Sequence, residues 1–139
     1  MYRVLFRNES KQLPVPLLLT CERTASRVMR RLNLRGEVGV TFVGDQGMQE
    51  FGHGKTDVLA FPYSQSGDIG DVFINFDYLS RTRKLRDQHI RCEELLVHAL
   101  VHLKGYTHSN FRDYVCMRNK EIDLLGRPCL PPWQKRLAY

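Results

Sequence analysis

The stretch from residue 98 to residue 108, HALVHLKGYTH, most constrains what this chain can fold into. Residues 92 to 104 are good helix formers, and Gly105 is well suited to end a helix in the left-handed conformation. His98 and His102 would then lie one turn apart, about 40° from each other around the helix axis. After Gly105 the chain can reverse and bring His108 back beside them. The spacing therefore predicts three imidazoles that converge on one point.

Three histidines with one open position are the ligand arrangement of a catalytic zinc ion, in which water takes the fourth position. We therefore expect one zinc ion per chain, bound by His98, His102 and His108. For any one of these residues alone, an ordinary core or surface histidine is the better interpretation, and it is the shared spacing of all three that favours ligands. No other histidine lies near His53 or His89 at a spacing that would bring the rings together, so these two are weaker candidates for a direct role.

The same stretch fits the long metalloprotease signature His-Glu-x-x-His-x-x-Gly-x-x-His at every position but one. Position 99 is Ala and not Glu. That glutamate is the general base of zinc peptidases, so the chemistry of peptide hydrolysis lacks its usual base here. Glu94, one turn before His98 on the same face, could serve as a base or as a partner of a ligand. The favourable position of a glutamate near a helix N-terminus explains it equally well.

The composition is that of one ordinary globular domain over residues 1–139, with 42% hydrophobic and 26% charged residues. The four cysteines are scattered without a Cys-x-x-Cys pair, and no secretory signal is recognisable, which favours a reducing, cytoplasmic setting. Apolar runs stay well below the roughly 20 residues that cross a bilayer. We therefore expect no role within a membrane.

The formal net charge of +6 is unevenly distributed along the chain. Residues 1–36 hold eight Lys and Arg against two acidic residues, whereas residues 37–76 hold one against six. Four arginines, Arg23, Arg27, Arg30 and Arg31, share one face of a predicted helix. Such a face could attract a polyanion such as RNA, or it could simply be solvated.

Hydrophobic patterning predicts strands at 2–7, 37–43, 57–63 and 70–76. It predicts helices at 15–34, 46–51, 78–86, 92–104 and 111–125, with Asp45 and Asp77 as the caps of the two short ones. Strands early in the chain and helices late in it indicate an α+β domain, in which a small sheet is backed by helices.

The histidine stretch also resembles the His-x-x-x-His-Leu-x-Gly-Tyr-x-His motif of the YbeY family. Members of that family are single-domain, metal-dependent endoribonucleases associated with ribosomal RNA maturation and ribosome quality control. KTDVLAFP (55–62) is similar to the family's Thr-Asp-Val-Leu-Ser-Phe-Pro strand, and GDIGDVFINFDYL (67–79) to its Gly-Asp-Ile strand. MRNKEIDLLG (117–126) resembles the helix after the metal site, so the resemblance spans roughly residues 38–126.

The resemblance implies a mixed sheet of about four strands, a metal-binding helix behind it, and a cleft at the metal for a single RNA strand. The family usually has an active-site arginine in a basic loop before the Thr-Asp-Val strand, but the short loop here has none. Lys55 or His53 could stand in for it, and we take Lys55 as the candidate substrate-binding residue. Thr107 and Ala99 replace the family's frequent Asp and Gly, and neither change removes a metal ligand.

We therefore expect a zinc-dependent, single-strand-specific endoribonuclease that acts on ribosomal RNA, with ribosomal proteins as candidate partners. Zinc can make water nucleophilic near neutral pH. The sequence does not identify a catalytic base, and it leaves open whether water or the ribose 2′-hydroxyl attacks. Two alternatives remain: another zinc hydrolase such as a metallopeptidase, and a non-catalytic ribosome-associated protein.

Overall fold

The computed structural model describes residues 2–10, 13–51, 57–63 and 68–129. It confirms the α+β class, because four strands form one mixed sheet and the longest helices pack beside it. In chain order the elements are β1 (Tyr2–Asn8), α1 (Val15–Leu32), β2 (Gly36–Val43), α2 (Asp45–Gln49), β3 (Val58–Pro62), β4 (Asp68–Asn75), α3 (Phe76–Thr82), α4 (Leu85–Lys104) and α5 (Phe111–Leu125).

The strand order in the sheet is β1-β2-β4-β3. Strand β2 is parallel to both β1 and β4, and α1 makes the crossover that two parallel neighbours such as β1 and β2 require. Strand β3 runs antiparallel to β4 and forms one edge of the sheet. Helix α4 packs on β3 and β4, so the helix that carries two of the histidines lies beside an edge strand.

One face of the sheet forms the core, as the alternation of the strands dictates. Val40, Val72 and Ile74 are fully buried under the helices, whereas Leu5 and Tyr63 on the opposite face are 45% and 49% exposed. The helices on the buried face pack against one another: α1 contacts α4, and α4 contacts α5. This packing holds α4 from two sides and fixes where its polar side chains lie.

The predicted elements are all present; α5 has the predicted bounds, and the bounds of the others differ. Helix α4 begins at Leu85 and not at residue 92, and α3 covers Phe76–Thr82 and not 78–86. Helix α1 ends at Leu32 because Asn33 adopts the left-handed conformation, with φ of 54°.

The predicted caps of the two short helices are wrong. Asn75 caps α3, since its side-chain oxygen accepts a hydrogen bond from the Tyr78 N–H at 3.1 Å, and Gly44 precedes α2 without a side-chain cap. The carboxylate of Asp77 instead accepts from the Asp45 N–H at 3.3 Å, and so it stabilises the start of α2 from a different helix. Asp45 pairs with Arg81. Both aspartates therefore bind partners that are distant in the sequence and close in the folded chain.

No helix in the described ranges is both long enough and apolar enough to cross a membrane. Residues 52–56, which include the candidates His53 and Lys55, lie outside the described residues, as do residues 130–139.

Candidate metal centre

The structure brings His98, His102 and His108 together at the end of α4. The Nε2 atoms of His102 and His108 are 3.1 Å apart, and one ring nitrogen of each histidine lies within 4.8 Å of the other two. The ring centroids are 4.6 to 5.5 Å apart. Three nitrogen ligands at these separations could hold one metal ion.

Two helix ends hold the third histidine in place. Helix α4 ends at Gly105, whose φ of 115° is confined to glycine in practice, and the Gly105 N–H donates to the His102 carbonyl at 2.9 Å. Helix α5 then begins behind Asn110, whose side chain accepts from the Asp113 N–H at 2.8 Å. The hydroxyl of Thr107 donates to the Asp113 carboxylate. His108 is therefore carried on a short turn that is tied to a helix at each end.

Hydrogen bonds at Nδ1 orient two of the three rings and leave Nε2 available. Nδ1 of His102 lies 2.9 Å from the Tyr106 carbonyl oxygen, which can only accept, so this nitrogen must carry the proton. Nδ1 of His98 likewise donates to the carboxylate of Glu121 at 2.9 Å. In each neutral ring the lone pair is then on Nε2. This is the tautomer that a metal ligand needs, and a carboxylate partner also makes the ring more basic.

The donor set fits zinc. Two nitrogens bound to one tetrahedral zinc ion at its usual Zn–N distance lie about 3.3 Å apart. The observed Nε2 separation of His102 and His108 is 3.1 Å. Two imidazole nitrogens at that distance need a cation or a proton between them, because their lone pairs would otherwise repel. Three imidazoles without a thiolate also match the ligands of a catalytic zinc site.

The electrostatics of the cluster favour neutral rings. Burial, together with the positive charge that His98 can carry, lowers the pKa of His102 to about 4. Burial and the same neighbour also lower the pKa of His108. Both rings are therefore deprotonated at neutral pH, which is the state in which imidazole binds a metal.

Glu121 is the functional candidate that sequence reasoning missed. It lies on α5, it is 5% exposed, and its carboxylate reaches His98 across the packing between α4 and α5. A glutamate among other charged residues of an amphipathic helix gives no local signal of this contact. Its place in the family-like segment MRNKEIDLLG was the one available hint.

Glu94, for which the sequence left open a role as base, a role as partner of a ligand and a position favoured by the helix dipole, lies in a network of ion pairs. Its carboxylate is 1% exposed and lies 2.7 Å from Arg127 and 3.3 Å from Arg91. Arg127 also contacts Glu93 at 3.0 Å, and Arg91 lies 3.9 Å from the buried Asp57. The two arginines offset the cost of burying this carboxylate.

A cleft opens beside the histidines, between β3 and the end of α4. It is lined by Val58, Leu59, Ala60 and Pro62 of β3 and by His98, Ala99, His102, Leu103, Gly105, Tyr106 and Thr107. Ala99 is fully buried and supplies no base at the position where zinc peptidases have a glutamate. His89 lies nine residues before His98 and hence on the opposite face of α4.

The arginines of α1 have several roles. Arg27 donates to the Leu124 carbonyl at 2.7 Å, and Arg31 donates to the Asp123 carbonyl and pairs with its carboxylate at 3.1 Å. Both thereby neutralise the negative C-terminal end of α5. Arg30 lies over the ring of Tyr2, at 5.5 Å from its centroid. The face is therefore only partly available for a polyanion, and Arg23 is an exposed residue of it.

Comparisons with known proteins agree on one family. The family model described as "Endoribonuclease YbeY" matches residues 6–127. A Campylobacter jejuni protein of that name is 36% identical over 107 residues, which cover 68% of this chain and 77% of the relative. A Syntrophus aciditrophicus protein of the same name is 27% identical over 139 residues, covering 87% of this chain and 86% of the relative. A Wolbachia relative is 35% identical, and the match covers about half of its length, 51%.

A solved structure supports the fold independently. A protein of Thermotoga maritima, whose structure was determined in solution, superposes with a TM-score of 0.60. The superposition covers 88% of this chain and 89% of the other, at 17% sequence identity. At that identity the similarity concerns the arrangement of strands and helices alone.

Proposed function

The chain belongs to the YbeY family of endoribonucleases, and on that premise we infer that it hydrolyses single-stranded RNA at one zinc ion held by His98, His102 and His108. The observation that carries the proposal is the convergence of three histidine nitrogens within 4.8 Å beside an open cleft. A bound zinc ion would lower the pKa of a water molecule and polarise a phosphoryl oxygen, so that a strong protein base is not required.

The residues around the centre prepare it for that ion. Glu121 and the Tyr106 carbonyl hold the rings of His98 and His102 with Nε2 toward the centre. The low pKa of His102 keeps its ring neutral at physiological pH, so no proton must leave before a metal binds. The absence of a carboxylate at Ala99 disfavours peptide hydrolysis by the usual zinc-peptidase route. These features suit phosphodiester hydrolysis better than attack on a peptide.

We assign the RNA to ribosomal RNA and the role to its maturation and to ribosome quality control, with ribosomal proteins as partners. The resemblance of the histidine, Thr-Asp-Val and Gly-Asp-Ile stretches to the family supports this role. Lys55, which lies outside the described residues, is the proposed contact to the RNA backbone. The four cysteines are free thiols, which suits the cytoplasmic setting that we propose.

The proposal is tested by offering the purified, zinc-loaded protein single-stranded RNA, a matched RNA duplex and an unstructured peptide. We expect cleavage of the single-stranded RNA only. Because the family's active-site arginine is missing, turnover could be slow, and the assay is run with enzyme in excess. Cleavage of the peptide but not of RNA would overturn the assignment in favour of a metallopeptidase.

A His102→Ala variant from an identical preparation is the control against contaminating nuclease. Its cleavage rate should fall by orders of magnitude while its circular dichroism stays near that of the wild type. A chelator should have the same effect on the wild type, and added zinc should restore only the wild type. RNA cleavage at an unchanged rate in the variant would show that the activity belongs to another protein. No cleavage by a folded, zinc-loaded wild type would favour a non-catalytic role.

A further inference from the structure

The cleft beside the histidines is lined mainly by apolar side chains. Val58, Ala60 and Pro62 line it from the strand side, and Leu103 and Tyr106 line it from the end of α4. Within the part of the chain that the structure describes, the residues that line it include no lysine, arginine, aspartate or glutamate. A phosphate would gain little from such walls, whereas the flat ring of a nucleobase buries apolar area against them. The cleft is therefore suited to a base and not to the RNA backbone.

The backbone of β3 adds polar groups at the rim of this cleft. The Asn75 N–H donates to the Asp57 carbonyl at 2.9 Å, and the Tyr63 N–H donates to the Ile69 carbonyl at 2.8 Å. Because the hydrogen-bonded positions of an antiparallel strand alternate, Leu59 and Phe61 also direct their backbone groups toward β4. Val58 and Ala60 direct theirs to the outer side. That side borders no other strand within the described ranges.

We propose that the outward N–H and carbonyl of Ala60 pair with the Watson–Crick edge of one unpaired nucleobase, next to the phosphodiester at the metal centre. Each of the four bases presents a donor beside an acceptor on that edge, and the N–H and carbonyl of one strand residue point the same way. In a duplex this edge is already paired, so the contact selects single-stranded RNA. The inference deepens the proposed function and rests on it.

A nucleobase fits the rim of β3 better than a peptide strand does. A peptide that extends a sheet needs a run of donors and acceptors at alternate residues. On β3 the next outward position after Ala60 is Pro62, which has no N–H, so the run of donors is limited to Val58 and Ala60. One base needs a single donor and a single acceptor. The ring of Tyr106 and the side chain of Leu103 then provide apolar surface for the base.

The variant Ala60→Pro tests the contact, because it deletes the outward N–H and breaks no bond to β4. Pro62 already occupies the equivalent position two residues later. We expect kcat/KM for single-stranded RNA to fall roughly three- to tenfold, the value of one hydrogen bond, while metal content stays at the wild-type level. Ala60→Ser keeps the N–H and also changes the side chain that lines the cleft, so it gives the reference rate, and A60P should cleave roughly three- to tenfold more slowly than A60S. An A60P variant that is folded and cleaves at the rate of A60S would overturn the proposal.

A second measurement needs neither a variant nor cleavage. In zinc-loaded, ¹⁵N-labelled wild-type protein, uridine should shift the amide resonances of Val58 and Ala60, and 3-methyluridine, whose Watson–Crick donor is blocked, should not. Equal shifts with both nucleosides, or shifts confined to the histidine turn, would overturn the proposal. So would shifts of Ala60 by an unstructured peptide but not by uridine, which would assign the strand edge to a peptide. A wild type that binds uridine in this way but cleaves no RNA would refute the proposed function instead.

Discussion

Helix α4 carries two polar clusters on one face, and they differ in how their charges are balanced. Arg91 and Glu94 lie about two turns and one turn before His98, so all three side chains point to the same side of the helix. In the first cluster, arginines and carboxylates pair with one another, and Glu94 is 1% exposed. In the second, three imidazoles meet beside an open cleft.

The difference indicates which polar cluster is built to bind something. A buried network in which each charge has an opposite neighbour is complete, and its loss is felt by the fold. A cluster of neutral nitrogen donors aimed at one point is incomplete until a cation or proton lies among them. We therefore expect the first cluster to stabilise the protein and the second to bind a metal ion. Each variant below is expected to affect mainly one of the two.

The largest expected effect is the loss of metal from the histidine cluster. Wild-type protein should contain about one zinc ion per chain, and His98→Ala or His102→Ala should abolish most of it, because two imidazoles hold zinc weakly. His108→Asp should retain some metal, since a carboxylate can also ligate zinc. Elemental analysis of purified protein measures the content. Equal zinc in the wild type and both alanine variants would refute the assigned ligands.

The opposite outcome is expected for the ion-pair cluster. Glu94→Gln removes the charge shared by Arg91 and Arg127 and should lower the free energy of unfolding by about 3 kcal/mol or more. Zinc content of the folded protein should stay at the wild-type level. Urea denaturation measures the stability, with Glu93→Gln as the control. Glu93 is 21% exposed, so its loss should cost about 1 kcal/mol or less. A fully stable Glu94→Gln protein that has lost zinc would reverse the two roles.

Glu121 links the histidine cluster to α5, and its loss should weaken metal binding without abolishing it. Because the carboxylate orients His98 through Nδ1, Glu121→Ala should reduce zinc affinity roughly 10- to 100-fold. Glu121→Gln should recover part of the loss, since its amide oxygen can still accept the Nδ1 proton. Competition with a chromophoric chelator measures both affinities. Wild-type affinity in the alanine variant would show that the contact is dispensable for the metal.

The metal-free protein should lose stability as the pH falls from about 6.5 toward 4. An unfolded histidine takes up a proton near pH 6.5, whereas folded His102 resists protonation until its lowered pKa of about 4. Between these values the unfolded state binds more protons, so acid favours unfolding. Thermal melting at a series of pH values measures the slope. His102→Asn should show a shallower slope, and an unchanged one would mean that other groups cause it.

The smallest expected effect concerns the arginines that hold α5 against α1. Arg27→Ala removes the hydrogen bond to the Leu124 carbonyl and should cost about 1 kcal/mol of stability. Arg23→Ala, on the same exposed face, should leave stability unchanged and weaken binding of single-stranded RNA. The slope of the logarithm of the binding constant against the logarithm of the salt concentration should become shallower by about 0.7. Equal effects of the two variants on stability and on RNA binding would show that Arg23 and Arg27 do not have separate roles.

The sequence predicted most of the secondary structure and the convergence of the histidines, because both depend on local spacing. The helix period places His98 and His102 together, and Gly105 ends the helix where a left-handed residue was expected. The predicted helix caps were wrong because the side chains had more than one possible hydrogen-bond partner. Asp77 was expected to cap its own helix but contacts the start of α2, because tertiary packing offers the Asp45 N–H. Capping preferences read from neighbouring residues in the sequence do not determine which partner the tertiary packing brings close.

By itself, the sequence therefore determined the family, the α+β class and the three candidate ligands, since these depend on motifs and on spacing within one or two turns. Only the tertiary structure decided that Glu121 orients His98 and that Glu94 pairs with Arg127, because those partners are 23 and 33 residues apart. It also decided that β3 is the edge strand that packs against α4. Contacts between distant segments depend on how α5 and β3 pack against α4, and that packing is a property of the whole core.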